Sequence, residues 1–164
     1  MSILKVKKYA CCDEIIKDSI FKFIKDKINM HNFTFFFKVA DVFHMPKLSQ
    51  TTLHYIERCF KLAVESSNLL NLNFALVRRI LCSSELHLTT EIEVFKAAND
   101  WIAYRSEERM KFACALLSTV RFHLLSDDAL TSILHEKHHI CKAGEIRATI
   151  VLWRSNEAVE RKLP

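Results

Sequence analysis

Residues 90–102 read T-E-I-E-V-F-K-A-A-N-D-W-I. Thr90 and Glu93 stand three apart just before the apolar run, the spacing of a capping box in which a hydroxyl and a carboxylate satisfy free backbone N–H groups at a helix start. Val94, Ala98, Trp101 and Ile102 then recur at three- and four-residue steps. That period belongs to one face of a helix, whereas a strand would alternate every second residue. The stretch predicts a helix that starts at a defined point and buries one side.

The rest of the chain repeats this pattern. It has one glycine, Gly144, and two prolines, Pro46 and Pro164, so turn residues are too scarce for a protein of hairpins. An all-α fold is expected. Its 164 residues, 50% hydrophobic and 26% charged, suffice for one core-bearing domain or one elongated array.

From Tyr9 to Ile28, Cys12, Ile16, Ile20, Phe23, Ile24 and Ile28 form a helical stripe, opposite Lys17, Asp18, Lys22, Lys25 and Asp26. Asn32 is placed to cap a second helix carrying Phe33, Phe36, Phe37, Ala40 and Phe43 on one stripe, with Phe35 off it. Pro46 suits the first turn of a third, whose apolar face runs through Leu48, Thr52, Tyr55, Ile56, Phe60 and Val64. A connector ends near Asn73, and a short helix follows with Phe74, Val77, Ile80 and Leu81 inward.

Beyond residue 102, Ser106–Ser118 reads as a helix using Met110, Ala113, Cys114 and Leu117. The segment T-V-R-F-H-L-L reads as an extended link. Ser126, Asp127 and Asp128 then mark another helix start, with Leu130, Ile133 and Leu134 inward. A last stripe is Ile146, Ile150 and Trp153. The whole predicts an array of seven to eight antiparallel helices.

Several classes are disfavoured. No run of about eighteen uncharged apolar residues would span a membrane, and the start has acidic residues where a signal sequence would be apolar. A soluble protein of the cytoplasm or the nucleus is expected. The six cysteines, Cys11, Cys12, Cys59, Cys82, Cys114 and Cys141, form no C-x-x-C pair and read as reduced, mostly buried thiols. The net charge of +5 is spread along the chain, unlike the concentrated basic face of a nucleic-acid binder.

One motif points to chemistry. His135, Glu136 and His139 spell H-E-x-x-H, the helical spacing at which two imidazoles grip zinc and the glutamate serves as base. A zinc hydrolase would also need a third ligand, for which Glu157, Glu160 or Cys141 stand available, and a strand edge to hold a peptide substrate. No strand is expected. His and Lys are favoured at a helix C-terminus by its dipole, so the expectation is no enzyme and no cofactor. Adventitious metal binding by His135, His138, His139 and Cys141 is the remaining metal reading.

The segment from Leu72 to Leu130 carries a family resemblance. Its S-S-E-L at Ser83–Leu86, E-x-E-V-F-x-A at Glu91–Ala97, Trp101, Arg109, and V-R-F-x-L-L-S at Val120–Ser126 resemble the BACK domain of BTB-Kelch (Kelch-like) proteins. Asn32, Phe36, Val39, Ala40, Asp41 and Leu48 are similar to the 3-box that links BTB to BACK in that family, with Phe33 in place of the usual Cys. The segment Y-A-C-C-D-E-I-I-K-D-S-I-F-K-F-I resembles the closing helix of a BTB domain. His87 stands where Asn is common and His123 where Pro is common.

The resemblance implies three units: 1–30, a C-terminal remnant of BTB; 31–64, a 3-box-like helix pair; and 65–164, the BACK domain. It implies a non-catalytic adaptor segment of a substrate receptor for a cullin-3 ubiquitin ligase, spacing a cullin-binding end from a substrate-binding end. Most of BTB and the Kelch repeats are expected to be missing, and the partner expected is the N-terminal region of cullin-3. Phe35, with Asn32, Phe36, Val39 and Asp41, is the candidate contact, while Phe33, Phe36 and Phe37 read mainly as core. The uncovered apolar face of residues 9–28 predicts self-association. A chain that competes for partners without ligase activity fits the sequence as well.

Overall fold

The computed structural model describes the backbone of residues 3–135 and the side chains of residues 13–134. Among them every regular element is helical: α1 (Ile3–Ile24), α2 (Phe33–Val42), α3 (Pro46–Arg58), α4 (Phe60–Glu65), α5 (Phe74–Leu81), α6 (Ile92–Tyr104), α7 (Ser106–Arg109), α8 (Ala113–Leu117) and α9 (Asp127–His135). Short 3-10 turns link several of them. One apolar core runs from Ile28 to Ile133, so the helices share a single interior.

The α2–α3 hairpin makes the most extensive helix contact. Phe33, Phe37, Leu48 and Ile56 are fully buried there, and the rings of Phe33 and Phe37 meet edge to face at 6.4 Å. Removing such a ring costs about 3–5 kcal/mol. Glu57 ties α3 to the segment after α5: its buried carboxylate accepts the Ser83 hydroxyl at 2.6 Å and meets His54 Nδ1 at 2.7 Å. Its backbone carbonyl accepts the His87 N–H.

The second half is held by Trp101. Its indole N–H donates to the Leu72 carbonyl at 3.0 Å, and the Arg109 guanidinium lies over its ring at 4.0 Å. Arg109 also donates to the carbonyls of Trp101 and Leu70. Burial, then the nearby Arg105 charge, holds its pKa below the ordinary value. One planar side chain thus joins α6, α7 and the 68–72 turn, a role for which its fork of donors is suited.

Several expectations from the sequence are corrected. The Thr90–Glu93 box does not form: Glu91 is the N-cap of α6 without a side-chain cap, and Thr90 contributes its backbone carbonyl to the Glu93 N–H. Glu91 is instead drawn inward to Arg121. The helix expected over 106–118 breaks into α7, a 3-10 turn at Met110–Phe112 and α8. That break shifts the phase, burying Ala113, Leu116 and Leu117 and leaving Cys114 exposed. Cys82 is exposed too and Cys59 half-buried, so the described thiols are not buried as expected. The link before α9 contains a 3-10 turn, Phe122–Leu124, rather than an extended segment.

Ser126 caps as the sequence predicts, and Asn73, near which the connector is expected to end, is a cap as well. Asn73 accepts the Leu76 N–H at the start of α5, and Ser126 accepts the Ala129 N–H at the start of α9.

Candidate partner-binding surface

Helix α2 is apolar on two sides. Phe33, Phe36, Phe37 and Ala40 enter the core. On the other side Phe35 is 60% exposed, followed by half-buried Val39 and exposed Val42, the i, i+4, i+7 spacing of a second stripe. Phe43, expected on the buried stripe, is exposed because the helix ends at Val42.

Both ends of α2 are pinned. Asn32 occupies the N-cap position, but its side chain turns backward, contrary to the expected cap: Oδ1 accepts the Asn29 N–H at 2.8 Å and Nδ2 donates to the Lys27 carbonyl at 2.8 Å. The Asn32 amide therefore locks the turn from α1. At the other end His44 N–H donates to Asp41 and Met45 N–H to Ala40, with His44 at φ 49°. This is a Schellman motif with histidine where glycine is usual. Met45 is buried behind it, which aims the chain into Pro46 at the first turn of α3.

Of the five expected contact residues, Phe35 and Asp41 face outward, Asn32 and Val39 are half-buried, and Phe36 belongs to the core, its ring 5.6 Å from that of Phe35. Burial thus separates Phe36 from an accessible surface. Val42 and Phe43 take its place, and the 35–39–42 spacing was the signal for the first of them. A groove of about 310 Å³ beside this corner is lined by residues including Asp41, His44, Ser49 and Arg79. Arg79 is fixed there by Ser49 and Gln50 at 2.9 and 3.2 Å.

Helix α1 meets the domain through Phe21 and Ile24, which pack against the core. Asp18 pairs with Lys47 at 2.8 Å, and this hydrogen bond lowers the Asp18 pKa and raises that of Lys47. Phe21 lines the small cleft beside them. The stripe Ile16, Ile20 and Phe23 therefore points away from the domain and is exposed.

Comparison with known proteins places this arrangement. Residues 34–135 match the family BACK, BTB And C-terminal Kelch. The chain belongs to the BACK family. Kelch repeat and BTB domain-containing protein 3 of Mus musculus is 31% identical over 134 residues, covering 82% of this chain and 21% of the relative. Kelch-like protein 28 of Homo sapiens is 28% identical, covering 73% of the chain and 21% of its own length, and Kelch-like protein 7 of Rattus norvegicus is 26% identical, covering 72% and 20%. The chain spans about a fifth of the length of these relatives.

The BACK match begins inside α2, so Phe35, Phe36, Val39 and Asp41 lie within it while Asn32 and α1 precede it. It ends at His135, the last residue of α9. Glu136, His138, His139, Cys141, Glu157 and Glu160 of the metal reading lie outside the described residues. Among the described residues no group of three or more His, Cys, Asp or Glu side chains is placed to hold a metal, and no helix is long and apolar enough to cross a membrane.

Proposed function

We propose that this chain is a non-catalytic helical adaptor segment of a Kelch-like substrate receptor for a cullin-3 ubiquitin ligase, acting in the cytoplasm or the nucleus. Residues 1–30 are the closing part of a BTB-type unit, 31–64 the 3-box-like pair and 65–164 the BACK domain. Its action is geometric: one shared core fixes the distance between a cullin-facing end and a substrate-facing end.

Family membership supports the setting. The observation that carries the contact is Phe35, 60% exposed on a helix whose opposite side is fully packed. An exposed aromatic beside Val39, Val42 and Phe43 is the composition of a binding anchor. Asp41 and Lys38, both exposed on the same helix, supply a polar rim.

Titration calorimetry with the cullin-3 N-terminal region tests this reading. Binding at about 10 µM, or roughly 7 kcal/mol, is expected, with Phe35→Ala removing the heat and leaving the unfolding midpoint unchanged. Phe37→Ala, by contrast, should lose about 3–5 kcal/mol of stability. No heat from the folded wild-type chain would remove the cullin contact from this surface and leave a spacer.

A further inference from the structure

A path of hydrogen bonds joins the groove beside α2 to the buried Glu57. Arg79 Nη2 donates to Gln50 Oε1 at 3.2 Å, Gln50 Nε2 lies 3.1 Å from His54 Nε2, and His54 Nδ1 lies 2.7 Å from Glu57 Oε2. Ser83 closes the path, donating to Glu57 Oε1 at 2.6 Å. Side chains of α3, α5 and the segment after α5 thus share one network.

The two ends fix its polarity. A guanidinium only donates, so the Gln50 oxygen must face Arg79 and the Gln50 NH2 group must face His54. His54 Nε2 therefore accepts. The ring proton then sits on Nδ1, where the Glu57 carboxylate, its side chain 5% exposed, receives it. Only the neutral ring with its proton on Nδ1 satisfies every link.

We propose that His54 is a proton-controlled latch between α3 and α5. Histidine changes charge across the neutral range, and the His54 side chain is 58% exposed, so water delivers the proton. A second proton on the ring puts an N–H against the Gln50 NH2 group, donor facing donor. Turning the Gln50 amide relieves that contact but carries its NH2 group onto Arg79. The path fails at one link either way, and Arg79 keeps only the Ser49 hydroxyl, 2.9 Å from Nη1. Acid therefore loosens the guanidinium that walls the groove of Asp41, His44 and Ser49, while the imidazolium stays on Glu57.

The other charged and titratable groups around the ring are Lys25 and Asp26 from the turn after α1 and Tyr55 and Arg58 from α3, which line the same pocket. From the segment after α5, His87 reaches Glu57 through its backbone N–H. Their charges leave the donor and acceptor roles along the path unchanged. This inference is independent of the cullin reading, since it concerns how Arg79 is held and leaves the outward stripe of α2 untouched.

Two measurements on the whole chain test the latch. Long-range proton–nitrogen NMR spectra at about pH 8 should show the His54 ring protonated at Nδ1, its signals being assigned by their loss in His54→Ala. A double-mutant cycle of Arg79→Met and Gln50→Leu in urea unfolding should give a coupling of about fivefold in the unfolding constant at that pH. At about pH 5 the coupling should vanish, whereas in a His54→Ala background it should be the same at both pH values. A ring protonated at Nε2 under the alkaline condition would overturn the proposal. So would a coupling that does not change with pH in the wild-type background, or one that still changes in His54→Ala. Where acid or a substitution unfolds the chain, as circular dichroism would show, the site of the ring proton decides alone.

Discussion

The carboxylate of Glu91 takes both the backbone and the side chain of Arg121. Oε1 accepts the Arg121 N–H at 3.0 Å, and Oε2 meets the guanidinium at 3.0 and 3.2 Å. The glutamate side chain is 3% exposed and the arginine 38%. A residue at the start of α6 thereby fixes the turn that leads to α9.

Replacing Glu91 by Ala strands a backbone donor and a half-buried cation together. A loss of about 2–3 kcal/mol is expected, read as a lower urea midpoint with an unchanged slope. Arg121→Ala should cost at least as much, because it leaves a carboxylate only 3% exposed without its cation. A clearly smaller loss from Arg121→Ala would contradict this reading.

Arg109→Lys keeps the charge and loses the fork. Lysine cannot serve the carbonyls of Trp101 and Leu70 while stacking on the indole, so about 1.5–3 kcal/mol should be lost. Near-ultraviolet circular dichroism should show the Trp101 environment change before the far-ultraviolet helical signal does. A lysine variant as stable as wild type would show that the two carbonyls find other donors.

The Asp18–Lys47 pair gives a pH signature. The hydrogen bond and charge of Lys47 lower the folded pKa of Asp18 below its unfolded value, so its contribution is complete above the unfolded value of about 4. It is lost as pH falls through the folded value. Following the Asp18 carboxyl carbon by NMR should show a lower midpoint in wild type than in Lys47→Ala. Coincident midpoints would mean that the pair does not persist in solution.

His44→Gly should raise stability. A non-glycine residue at φ 49° carries about 1–2 kcal/mol of left-handed strain, while glycine costs about 0.4–1 kcal/mol through the unfolded chain. A net gain of about 0.5–1 kcal/mol is expected in thermal or urea unfolding. A loss would mean that the exposed imidazole makes a contact that offsets the strain.

Periodicity and composition determined that the described chain is helical, that Phe33, Phe36 and Phe37 point inward, and that Ser126 caps. These features are local, set by spacing within a turn or two. The motif residues carried family membership for the same reason, since their order is linear. Tertiary structure alone decided the fate of Thr90 and Glu93, because Arg121, thirty residues from Glu91, draws that buried carboxylate inward in place of a local cap. It also decided which side of α1 is covered. The sequence puts Ile16, Ile20, Phe23 and Ile24 on one stripe, but Phe21 and Ile24 pack against the core, with the Asp18–Lys47 pair beside them, and Ile16, Ile20 and Phe23 stay exposed. Phe35 became a candidate contact in the same way: the sequence marked it as off the stripe, and packing on the opposite face of α2 left it to the solvent.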